Sequence, residues 1–114
     1  VNTVFSGSLN TNGSRELSVI VFMDPPGGSA ADTIDITIQE SDQDDFVDGQ
    51  HIYDVHSFTQ VLGNSTADNL LKQKFTKPIA ESPNAYYRIK VETNISGGTS
   101  FDATNVKALY NVTP

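Results

Sequence analysis

The chain of 114 residues contains no cysteine, no tryptophan and only 7 basic residues against 14 acidic ones. Without cysteine there is no disulfide framework, no thiolate metal site and no thiol nucleophile, which argues against a small secreted module stapled by disulfides. The formal net charge of −7 argues against binding to nucleic-acid backbone or anionic membrane, since both are recognised through basic patches. No apolar run approaches the ~20 residues of a membrane span, so a soluble protein is expected. No charged segment followed by an apolar one opens the chain, as would mark a signal peptide, so a mature or never-targeted protein is expected. No helical period of useful length appears, and no repeat at a spacing of about 20 to 50 residues points to a solenoid or propeller.

What is present is β-patterning. In Thr33 to Val47, TIDITIQESDQDDFV, Ile34, Ile36 and Ile38 alternate with Asp35, Thr37 and Gln39, which places the isoleucines on one face of a half-buried strand. The run from Glu40 to Asp45 then reads as an acidic turn, with Phe46 re-entering the core. Tyr86 to Thr93 alternates as strictly, with Tyr87, Ile89 and Val91 inward and Arg88, Lys90 and Glu92 outward. Leu17 to Met23 carries apolar groups on both faces, as a central strand does. Val106, Ala108, Tyr110 and Val112 line one face of a last strand, with Phe101 near its start.

The remaining segments are read with less pattern to guide them. Val1 to Leu9 is a first strand or an arm, with Phe5, Gly7 and Leu9 inward, and residues 1–8 can serve as an extended N-terminal arm. His51 to Leu62 makes one long or two short strands. Leu70 to Phe75 reads as a strand in preference to a short helix. Asn12-Gly13, the Asp24 to Ser29 run with its paired prolines and glycines, and Gly63 to Asn69 are turns and loops by composition. Seven to eight short strands at this spacing predict one all-β domain over 1–114, an antiparallel β-sandwich of jelly-roll or immunoglobulin-like type.

Three constellations bear on chemistry. Asp42, Asp44, Asp45 and Asp48, with Gly49 behind, offer oxygen ligands to a hard cation, and Asp42, Asp44 and Asp48 are the calcium candidates. Phe46 occupies a position that the EF-hand order would give to a ligand, so a solvated turn is the expected role. The histidines are His51 and His56; on a regular strand Asp54 and His56 share a face and His51 takes the other, so the three do not converge. No serine sits in a Gly-x-Ser-x-Gly elbow. A non-enzymatic protein without cofactor is therefore expected. Tyr53 and Tyr86 are candidates for an outward aromatic platform of the kind sugar-binding sandwiches use, while Tyr87 and Tyr110 read as core residues reaching an edge. Four Asn-x-Ser/Thr sequons, at Asn12, Asn64, Asn94 and Asn111, are expected by accident in a chain this rich in Asn, Ser and Thr.

The run Ile34-Asp35-Ile36-Thr37-Ile38-Gln39-Glu40-Ser41-Asp42, followed by an aromatic and an aspartate at Phe46 and Asp48, resembles a pattern of small structural proteins of tailed bacteriophages. The Tyr87-Arg88-Ile89-Lys90-Val91 strand resembles their closing strand. About a third of the chain carries this resemblance. It implies a head decoration, or cement, protein: a β-sandwich on the outer capsid surface, commonly a trimer, that binds the major capsid protein and bridges neighbouring subunits of a virion assembled in the bacterial cytoplasm. Such a protein stabilises the assembled lattice by binding it in preference to its loose subunits, and its acidic exterior would keep particles apart. In a trimer, a loop such as Asp24 to Ala30 would meet its copies at the axis. The alternative, from a different class, is a carbohydrate-binding or adhesion sandwich of a phage tail, a fibre or a cell surface.

Overall fold

The computed structural model describes residues 2–11, 13–79, 84–95 and 106–113. Among them are nine strands: β1 (Asn2–Phe5), β2 (Leu9–Asn10), β3 (Glu16–Phe22), β4 (Thr33–Ser41), β5 (Ile52–Ser57), β6 (Val61–Leu62), β7 (Lys72–Pro78), β8 (Tyr86–Asn94) and β9 (Lys107–Thr113). All pairings are antiparallel. The larger sheet runs β1-β8-β4-β5, with β2 extending β1 along β8 and β6 extending β5 along β4; the smaller runs β7-β3-β9. The all-β sandwich expected from the sequence is the observed architecture. The nine strands exceed the expected seven to eight because both edges of the larger sheet are interrupted.

The core lies between the inward faces of β3 in one sheet and of β4 and β8 in the other. Leu17, Val19 and Val21 of β3 meet Ile34, Ile36 and Ile38 of β4 and Tyr87, Ile89 and Val91 of β8. Opposed residues of an antiparallel pair share a face, and Ile36 stands opposite Val91 and Ile38 opposite Ile89. Ala108, Tyr110 and Val112 of β9 pack on this core as expected, with Val106; Phe101 lies outside the described residues. Leu70 to Phe75 combines both readings: Asp68–Leu71 forms one helical turn, and β7 begins at Lys72.

Two irregularities change which way side chains point. Phe5 stands opposite Lys90 while Leu9 stands opposite Tyr87, so three residues, Ser6 to Ser8, span two on β8. This bulge sends Phe5 outward and Leu9 inward, correcting the reading that put both inside. Its polar groups are used: the Ser6 amide donates to the Ile89 carbonyl (2.9 Å) and the Ile89 amide to Ser6 Oγ (2.8 Å). The stretch read as an arm is, over Asn2–Phe5, an edge strand whose residues are all exposed. The second irregularity lies in β5, where Ile38 opposes His56 and Gln39 opposes Asp54. Val55 is the extra residue, so Asp54 and His56 lie on opposite faces of the sheet, not on the same one.

Candidate interaction surfaces

The acidic turn begins later than its composition suggests. Glu40 opposes the inward Tyr87 and is the last inward residue of β4; its Oε2 lies 3.3 Å from Lys77 Nζ of the other sheet. Past Ser41 the chain forms a series of local turns. Ser41 Oγ accepts from the Gln43 amide, Asp45 Oδ1 from Val47 and Asp48 Oδ1 from Gln50, which is how short polar side chains satisfy backbone outside a ladder.

Within this turn Phe46 is buried but does not join the core between the sheets. Its ring lies 4.5 Å from the Arg88 guanidinium on the outer face of the larger sheet, and the Phe5 ring lies 3.8 Å from the same group. Arg88 Nε donates to Gln39 Oε1 (2.8 Å), and Gln39 Nε2 donates to Asp54 Oδ1 (2.9 Å). Burial pulls the guanidinium below its ordinary pKa, and the two aromatic faces compensate through cation–π attraction. Phe46 has φ of +51°, a left-handed conformation costly for a bulky residue. That conformation lets the chain bury Phe46 while its neighbour Val47 turns out to solvent, 79% exposed.

The calcium candidates are brought together around an imidazole. Asp42 Oδ1 lies 2.8 Å from His51 Nδ1, and Asp48 Oδ2 lies 3.6 Å from Nε2; Asp44 is exposed on the same loop. Among the described residues no group of three or more His, Cys, Asp or Glu side chains is arranged to hold a metal ion. His56 faces inward, stacked at 4.1 Å on Phe75 and edge-on at 4.9 Å to Phe58, far from His51 in role and direction. His51, Asp54 and His56 therefore serve three separate contacts. Tyr53 opposes Glu40 and Tyr86 opposes Ser41; these are consecutive residues of β4, so the two tyrosines lie on opposite faces and do not form one platform. Asn64, Asn94 and Asn111 are exposed, and Asn12 lies outside the described residues.

Two surfaces remain that sequence reading did not single out. The first lies where the edges of the two sheets part. Between β1 and β9 an apolar cleft of about 240 Å³ is lined by Val4, Val91, Val106, Ala108 and Tyr110, with Ser6 at its rim. Tyr110 Oη lies 3.1 Å from Ser6 Oγ across it. Burial raises the Tyr110 phenol above its ordinary pKa, against the lowering pull of the Ser6 hydrogen bond. Val4 is 51% exposed, and among the described residues no strand pairs with the outer edge of β1.

The second is the outer face of the three-stranded sheet. Ile20 stands between Lys74 and Leu109, and Phe22 between Lys72 and Lys107. Ile20, Phe22, Leu109 and Lys72 enclose an apolar groove of about 260 Å³, and Leu109 is 59% exposed. The signal for it was in the sequence: Leu17 to Met23 is apolar on both faces although only one can meet the opposite sheet.

No family model, curated protein or solved structure matches this chain.

Proposed function

We propose that the chain is a non-catalytic structural protein that decorates the outer surface of a tailed-phage head and stabilises the capsid lattice. The sequence resemblance suggests the setting; the observation that carries the mode of binding is the β1 edge. An edge strand whose outer backbone groups meet no strand among the described residues, beside an apolar cleft, suits strand addition, in which main-chain hydrogen bonds give affinity and pockets for alternate side chains give specificity. The occupant is an extended arm of the major capsid protein, with an apolar side chain seated between Val4, Val106 and Ala108. Binding of assembled lattice in preference to loose subunits then stabilises the lattice by mass action, and many copies per particle add avidity.

The test is co-sedimentation of the full chain with phage heads stripped of their outer proteins. The wild type is expected to travel with the heads and raise their melting temperature. Val4→Asp, at an exposed site that leaves the core intact, is expected to weaken binding by about tenfold, or ~1.4 kcal/mol. Failure of the wild type to bind any head would overturn the decoration reading. The carbohydrate-binding alternative would then be examined on glycan arrays with and without calcium.

A further inference from the structure

The outer face of the three-stranded sheet is opposite in charge to the rest of the molecule. The chain as a whole carries −7, yet the outward residues of β7, β3 and β9 include Lys72, Lys74 and Lys107, and Glu16 is the one acidic side chain among them. At the centre of these lysines lies the groove of Ile20, Phe22 and Leu109. Two cross-strand rows set this pattern, Lys74-Ile20-Leu109 and Lys72-Phe22-Lys107. Apolar groups held open to solvent inside a charged ring are the usual plan of a protein contact, with an apolar centre and a polar rim.

The complementary feature is on the same chain. Val47, 79% exposed, projects from the β4–β5 turn and is flanked in sequence by Asp44, Asp45 and Asp48. The turn is held in shape from both sides. Phe46 is clamped on Arg88, and the Val47 amide is bonded to Asp45 Oδ1 at 3.2 Å. An apolar knob on an acidic turn, fixed before binding, loses little conformational freedom on docking. The knob belongs to the outer side of the larger sheet and the groove to the outer side of the smaller one. They therefore cannot meet within one molecule.

We infer that a second copy of this chain docks its Val47 turn into the Ile20-Phe22-Leu109 groove, so that the protein associates head to tail. The contact is heterologous: each copy uses one patch to give and the other to receive, and successive copies close into a ring or continue as a filament according to the rotation between them. A ring of three would supply the trimer expected of a decoration protein, but the inference rests on the two patches alone and holds whether or not the capsid reading does. The lysines around the groove and the aspartates of the turn steer the encounter and make it sensitive to salt.

Sedimentation velocity of the full chain over a range of concentrations tests this without any phage component. Concentration-dependent association that weakens as salt is raised is expected. Val47→Asp removes the knob and Leu109→Lys fills the groove with charge; both sites are exposed, and each variant is expected to raise the dissociation constant about tenfold or more. Lys72→Glu, which leaves the apolar groups in place, should weaken association in the same direction. The decisive step is mixing. Val47→Asp retains a groove and Leu109→Lys retains a knob, so the mixture should form a one-to-one dimer and stop there, whereas each variant alone stays monomeric. A wild type that remains monomeric at its highest soluble concentration would overturn the inference. So would a Val47→Asp variant that associates as the wild type does, or two variants that stay monomeric when mixed.

Discussion

Lys77 Nζ of β7 lies 3.3 Å from Glu40 Oε2 of β4 inside one end of the sandwich, with the ammonium also 5.7 Å from the Tyr87 ring centroid. This ion pair crosses between the two sheets where the apolar core runs out, and its side chains keep only 21% and 14% of their exposure. Removing one partner strands a charge in a poorly solvated place, whereas replacing both with apolar groups does not. Glu40→Ala is expected to destabilise by about 1–2 kcal/mol, less than for a fully buried pair because some solvent reaches both groups. Glu40→Leu with Lys77→Met should recover most of that loss. Urea unfolding of the two variants against wild type checks both statements.

Gly63 is packed against the start of β4. A Cβ added there would lie 2.7 Å from the Ser29 carbonyl oxygen and 2.7 Å from Asp32 Cβ, and the Gly63 amide and carbonyl are bonded to Asp32 and Gly28 at 2.8 Å. The clash is with backbone held by its own hydrogen bonds, so it cannot be relieved by a rotamer. Gly63→Ala is expected to cost about 1–3 kcal/mol, read as a lowered melting temperature. This anchoring also ties the Asp24 to Ala30 loop to Gly63.

Arg88 is held by two rings and an amide, a geometry made for a planar guanidinium. Lysine offers a compact ammonium that cannot stack on Phe5 and Phe46 while reaching Gln39. Arg88→Lys is expected to destabilise by about 1–2 kcal/mol. It should also loosen the turn over residues 42–48, seen as faster amide exchange there than in the central strands.

Tyr110 contributes a pH dependence at alkaline pH. Its phenol is favoured neutral in the folded state, so its folded pKa stands above the unfolded one. The resulting stability is present below the unfolded phenol pKa of about 10 and is lost as pH rises through the higher folded value. An alkaline absorbance titration should contain a late-ionising component that Tyr110→Phe removes, and the same substitution should soften the alkaline loss of stability.

The alternation of Ile34, Ile36 and Ile38 and of Tyr87, Ile89 and Val91 was legible because a regular strand has a period of two and those strands are the centre of the larger sheet. Within the strands, two placements failed at bulges. One extra residue near Ser6 turned Phe5 outward and one at Val55 put Asp54 and His56 on opposite faces, and a one-residue slip reverses every assignment beyond it. The acidic run hid a boundary in a different way. Glu40 looks like its neighbours in sequence, but Lys77, 37 residues away, draws it inward. The knob at Val47 depends on Phe46 finding Arg88, a contact between elements that no local pattern encodes. The groove of Ile20 and Phe22 was readable in part, since apolar residues on both faces of β3 exceed what one core can take.

Hydrogen exchange on the head-bound protein tests most directly whether capsid decoration runs through the β1 edge. In the β1–β8 ladder every second amide of Asn2 to Phe5 faces away from β8; these outward amides meet no strand among the described residues of the free chain, and strong protection confined to them and to the lining of the adjoining cleft is expected once heads are bound. Binding to heads that leaves the exchange of these amides unchanged would contradict docking at this edge.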